Sequence, residues 1–132
     1  MKVLIKYETA ELAKEKGFPQ NIPYDHYIVG EDKKFMTDYF YKSSLIDDYK
    51  NNLLGCPTQS ELQKWLRDEK SLYIDIYTEC TVNEILGFNY KITSWYVLPQ
   101  QYKRENISGF ELTYEQALEQ ALINGLNLIK IN

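Results

Sequence analysis

Leu72-Tyr73-Ile74-Asp75-Ile76-Tyr77-Thr78-Glu79-Cys80 is the stretch on which the fold turns. Leu72, Ile74 and Ile76 alternate with Tyr73, Asp75 and Tyr77. That period of two belongs to a strand with one face buried and the other open. Phe88 to Leu98 repeats the pattern: Phe88, Tyr90, Ile92, Tyr96 and Leu98 share one face, and Asn89, Lys91, Thr93, Trp95 and Val97 share the other. Thr81 to Gly87 is short enough to reverse the chain, so the two runs pair as an antiparallel hairpin. Pro99 ends the second strand, and Gln100 to Gly109 reads as a polar loop.

Immediately upstream lies the strongest helix start in the chain. Thr58 and Glu61 have the spacing of a capping box, in which each side chain satisfies the other residue's backbone N–H. Pro57 blocks extension backward. Leu62, Trp65 and Leu66 then form an apolar stripe, with Gln59, Gln63, Lys64, Arg67 and Asp68 turned away. Downstream, Thr113 and Gln116 form a second capping box, and Tyr114, Ala117, Leu118, Ala121 and Leu122 a second stripe. Gly125 is expected to end or bend that helix, because glycine costs about 1 kcal/mol relative to alanine in a helix interior.

Farther upstream, Tyr7 to Lys16 reads as a helix closed by Gly17, with Pro19 preventing its resumption. Ala10, Ala13 and Leu12 give it only a weak apolar face. Tyr24 to Val29 and Lys34 to Tyr41 are candidate strands joined at Gly30-Glu31-Asp32-Lys33. Ser43 to Asn52 has no clear period and reads as a loop, and Leu53-Leu54-Gly55-Cys56 as a short additional strand. The order is α-β-β-α-β-β-α: an α+β chain with a mainly antiparallel sheet and helices packed on one face. No linker or low-complexity segment divides residues 1–132, so one domain is expected.

Composition narrows the function classes. Hydrophobic residues make up 44% and charged residues 26%, the balance of a globular chain. Aromatic content is 14%, most of it from 12 tyrosines. Tyrosine joins an apolar ring to a polar tip, so it serves half-buried sheet faces and binding surfaces alike. The net charge is −4. The densest basic runs, Lys14 with Lys16, Lys33 with Lys34 and Lys103 with Arg104, are each flanked by acids, which argues against a nucleic-acid partner. No run reaches the ~18 apolar residues of a membrane span, and Met1 to Lys6 is too short an apolar run for a signal peptide. A reducing cytoplasm is therefore expected, with Cys56 and Cys80 as small buried hydrophobes.

Three stretches carry a resemblance: Glu8 to Phe18, Pro57 to Arg67 and Thr113 to Glu119. Together they resemble a group of small proteins encoded by bacterial phages and integrated mobile elements. The resemblance implies a genomic setting in a bacterial host cell. It implies no activity and no functional residues.

Candidate chemistry is sparse. His26 is the single histidine and could pair with a cysteine thiol, but it sits between Asp25 and Tyr27 in a candidate strand, where a half-exposed structural histidine is expected. One histidine and two isolated cysteines do not supply a zinc site. Asp47-Asp48 and Glu31-Asp32 lack the spacing of a calcium loop, and no phosphate-binding glycine fingerprint occurs. No catalytic, metal or cofactor residue is assigned.

One feature points to a partner. With Leu72, Ile74, Ile76, Phe88, Tyr90 and Ile92 facing the helices, the opposite face carries Tyr73, Tyr77, Trp95 and Val97. Large aromatics left open are enriched in binding surfaces. The expectation is a non-enzymatic protein that binds a host or phage protein, or a second copy of itself, through these four residues. Two alternatives stand beside it: an accessory enzyme or small-ligand binder built from scattered Asp, Tyr and His26, and a structural component of a phage particle.

Overall fold

In the computed structural model the elements run α1 (Tyr7–Glu15), β1 (Asp25–Ile28), β2 (Phe35–Met36), β3 (Leu53–Cys56), α2 (Gln59–Lys70), β4 (Leu72–Cys80), β5 (Ile85–Leu98), β6 (Gln101–Glu111) and α3 (Tyr114–Asn127). The residues described are 3–20, 24–28, 33, 35–36, 53–98 and 101–130, with the backbone alone at 28, 36, 95–98 and 101–105. The expected strand over Lys34 to Tyr41 is described only at Phe35 and Met36, and the Ser43 to Asn52 loop lies outside the described residues.

Three helix ends follow from their local sequence. Gly17 takes φ +99. Its N–H donates to the Lys14 carbonyl, and the Phe18 N–H to the Ala13 carbonyl. This pair of bonds closes α1 in a Schellman motif, which glycine adopts without steric cost. The Thr58–Glu61 box forms in both directions, with 3.1 Å bonds from the Glu61 N–H to Thr58 Oγ1 and from the Thr58 N–H to Glu61 Oε1. Thr113 Oγ1 likewise accepts from the Gln116 N–H at 3.1 Å. Gly125 does not end α3, which continues to Asn127. A Cβ at 125 would come within 3.4 Å of Leu66 Cδ1. That is ordinary contact distance, and it is the burial of Leu122 and Leu126 on either side that carries the helix through a residue of poor propensity.

The α+β class is as read, but the strands among the described residues divide into two antiparallel sheets of three, ordered β2-β1-β3 and β4-β5-β6. The second sheet gains a strand where a polar loop was expected. Gln101 to Glu111 pairs with β5 from Leu98↔Gln101 to Phe88↔Glu111. This edge strand carries Lys103, Arg104, Glu105, Asn106 and Ser108, so no apolar alternation betrays it. Its backbone bonds to β5 hold it in the sheet. Close packing assists: Tyr90 stands directly over Gly109 on the inner face, where a Cβ would meet the ring at 2.3 Å. The Tyr90 hydroxyl then accepts a 2.9 Å bond from Asn124 of α3.

Helices and sheets share one apolar cluster, which joins Leu54 and Cys56 of β3 to Leu72 and Ile74 of β4 and to Ile92 of β5. Leu62 and Leu66 of α2 and Ala117, Leu118, Ala121, Leu122 and Leu126 of α3 fill it. The weak face of α1 is buried as well, at Thr9, Ala10 and Ala13. Alanines allow α1 to approach α3 closely, so a small apolar face suffices. The chain before α1 joins the start of α2: Leu4 bridges Thr58, and the Gln59 N–H donates to the Val3 carbonyl at 2.8 Å.

Candidate interaction surface

The β4 pattern separates the two faces of the second sheet as expected. Leu72 and Ile74 are buried beneath the helices, and Ile76 is half-buried. Tyr73 and Tyr77 lie on the outer face, 41% and 50% exposed. Pairing sets Tyr73 opposite Thr93, Asp75 opposite Lys91 and Tyr77 opposite Asn89. Strand β6 extends this face with Asn106, Ser108 and Phe110, opposite Thr93, Lys91 and Asn89. Trp95 and Val97 are strand residues of β5, paired with Arg104 and Tyr102, and their side chains lie outside the described residues. The face closes toward Thr93, which is buried and whose hydroxyl is 3.1 Å from Asn106 Oδ1.

Phe110 is the member of this surface that sequence reasoning missed. It is 45% exposed, and its ring covers Gly87, where a Cβ would stand 2.4 Å from Cζ. The ring thus fills the place of the missing side chain on the neighbouring strand, a pairing that pins strand register. A glycine within a strand run was the available signal, but Gly87 reads as part of the turn in sequence. Tyr73, Tyr77 and Phe110 present half-open aromatic surface from a backbone held in a three-stranded ladder. Such groups bury large area on association with little loss of freedom.

The chemistry-bearing residues do not converge. The expected half-exposed His26 is in fact 2% exposed. It pairs with Gly55, whereas Cys56 pairs with Asp25. Alternation then puts His26 and Cys56 on opposite faces of the first sheet, so no thiol–imidazole pair forms between them. Cys56 is buried as expected, and Cys80 is not: it is an exposed free thiol at the end of β4. The reason is that β4 and β5 run on past the helices there, and Thr78 to Leu86 are all exposed. Burial pushes the Cys56 thiol up to about 12. Its Sγ donates to the Ile5 carbonyl at 3.3 Å, and the Tyr27 hydroxyl donates to the same oxygen at 3.1 Å.

Gln59, expected on the open side of α2, is 4% exposed. Its Nε2 donates to the Glu115 carbonyl and to Glu119 Oε1, both at 3.0 Å. Glu119 is itself buried, and its other oxygen accepts from the Lys6 N–H at 3.1 Å and from the Thr9 hydroxyl. Lys6 is the N-cap of α1 and makes no side-chain cap bond. Glu119 thus supplies from α3 the acceptor that α1 lacks, and a carboxylate at a helix N-terminus also meets the positive end of its dipole. Every donor in the cluster is a structural one. A cleft of about 540 Å³ lies beside it, lined by Val3, Thr58, Ser60, Glu61, Tyr114 and Leu118 among others. Among the described residues no three His, Cys, Asp or Glu side chains are placed to hold a metal ion. Among them too, no helix is long and apolar enough to cross a membrane.

Comparison of the chain with protein-family models, with curated proteins and with solved structures finds no match.

Proposed function

We propose that this chain is a small non-enzymatic protein that binds another protein in the bacterial cytoplasm, using the outer face of the β4-β5-β6 sheet. The observation that carries the reading is the open aromatic surface of Tyr73, Tyr77 and Phe110 on one face of a three-stranded antiparallel sheet. Open aromatics of this size mark recognition surfaces more often than plain solvent faces. A phage or mobile-element setting rests on the resemblance carried by the three helical stretches. In that setting the partner is a host or phage protein.

The test compares the wild-type chain with a Tyr73→Ser/Tyr77→Ser variant as bait in host lysate. Both substitutions fall at exposed positions, so circular dichroism should report the same fold. One stoichiometric protein retained by the wild type and lost with the variant is the expected result. Equal retention by both baits, or no protein above the blank from host and phage-infected lysates alike, defeats the reading. Light scattering on the same samples identifies a second copy as the partner if mass doubles with the wild type alone.

A further inference from the structure

The proposed function leaves unused the far end of the second sheet, where β4 and β5 run past the helices. Thr81 to Glu84 form the turn: the Thr81 N–H donates to the Glu84 carbonyl at 2.8 Å, and Thr81 Oγ1 accepts from the N–H groups of Asn83 and Glu84. Val82 stands at its tip, fully exposed. Glu79 pairs with Gly87 and Cys80 with Ile85, so Leu86 is an extra residue in β5. A bulge of this kind bends the strand and turns its side chains. Ile85 is 64% exposed, and Leu86 is also open. Leu112, 71% exposed, follows directly on Glu111, the partner of Phe88. Tyr114 is open too and meets Phe88 edge-on at 6.0 Å. Five apolar side chains are therefore left open at one end of the sheet.

The charged residues of the two segments that carry them are all acidic. Residues 71–90 and 105–129 hold seven acidic residues and no Lys, Arg or His, while the rest of the chain carries all fifteen Lys and Arg. Four of the seven, Glu79, Glu84, Glu111 and Glu115, belong to the turn, the paired strand ends and the start of α3 beside the apolar group.

We propose that this end, with Val82, Ile85, Leu86, Leu112 and Tyr114 among Glu79, Glu84, Glu111 and Glu115, binds a partner-protein segment that alternates apolar side chains with Lys or Arg. An apolar centre with a charged rim is the usual anatomy of a recognition patch, and the rim selects the partner's charge. Nucleic acid and anionic membrane are repelled by the same rim. A second copy is disfavoured because symmetric pairing would set this rim against itself. The inference rests on the protein-binding reading and adds a second contact region and the chemistry of the partner.

The experiment measures fluorescence anisotropy of a labelled synthetic peptide of alternating Leu and Lys against the full chain. Saturable binding is expected, at least about tenfold tighter than for a Leu–Glu peptide or an all-Lys peptide. Val82→Lys and Glu84→Lys/Glu115→Lys should each weaken it by at least about tenfold. Val82 has no packing to lose, so its variant stays folded and keeps the test decisive. Absence of saturable binding, equal binding of either control peptide, or variants that bind like the wild type would overturn the inference. If the Leu–Lys peptide fails while partner capture still depends on Tyr73 and Tyr77, only this inference falls. Loss of capture dependence with peptide binding intact removes the outer-face reading instead.

Discussion

Replacing Glu119 by alanine should cost about 3 kcal/mol of folding stability. The carboxylate takes the Lys6 N–H and the Thr9 hydroxyl on one oxygen and Gln59 Nε2 on the other. Gln59 keeps the Glu115 carbonyl when the carboxylate is removed. The Thr9 hydroxyl loses its acceptor in a buried place, at roughly 1–3 kcal/mol, and the part-buried Lys6 N–H loses its own at about the low end of that range. A domain of this length loses about 4 °C of Tm per kcal/mol, so a fall near 12 °C is expected. Glutamine tests the charge and the donor pattern separately. Its amide nitrogen must face Gln59 Nε2 or the Lys6–Thr9 pair, and turning Gln59 over would set its oxygen against the Glu115 carbonyl. Glu119→Gln should therefore lose about 2 kcal/mol, despite its matching shape. Urea unfolding followed by circular dichroism gives both values from the midpoint at constant slope. In a double-mutant cycle with Thr9→Val the two sites should couple by about 1 kcal/mol or more. Losses under about 0.5 kcal/mol for both Glu119 variants would show that the carboxylate does not hold α1, and the tertiary-cap reasoning would be wrong.

Other outcomes follow from individual contacts. Gly125→Ala should stabilise by about 0.5–1 kcal/mol in the same urea assay, because the new methyl meets Leu66 at ordinary contact distance while the helix gains propensity. Gly109→Ala should destabilise by about 2 kcal/mol or more, since its methyl would occupy the Tyr90 ring position and break the Asn124 bond. Ellman's reagent at pH 8 should titrate a single thiol in the folded chain, Cys80, with Cys56 reacting only on unfolding. The raised Cys56 value also sets a pH dependence. Above its ordinary value of 9.0 the unfolded chain releases this proton while the folded chain holds it to about 12. Stability should therefore decline as pH rises through that window, with Tyr27, also pushed up by burial, adding to the decline. Cys56→Ala should flatten the slope between those limits, as read from urea midpoints at successive pH values.

Local sequence determined the elements whose signal is written in short range. The Thr58–Glu61 box, the Gly17 closure and the Leu72–Cys80 alternation each depend on residues within a turn or a strand of one another. Tyr73 and Tyr77 were legible as outward for the same reason, since alternation alone assigns the face. Tertiary structure decided whatever depends on a distant neighbour. The polar run from Gln101 is a strand because β5 pairs with it, and Phe110 joins the surface because Gly87 lies across the ladder. Gly125 remains helical because Leu122 and Leu126 on either side of it are buried in the core. Gln59 and Glu119 are buried because three helices meet there and α1 lacks a cap of its own. Cys80 is open because its strand outruns the core. Propensity and periodicity act over a few residues, whereas burial and partner choice are set by contacts between chain segments far apart in sequence.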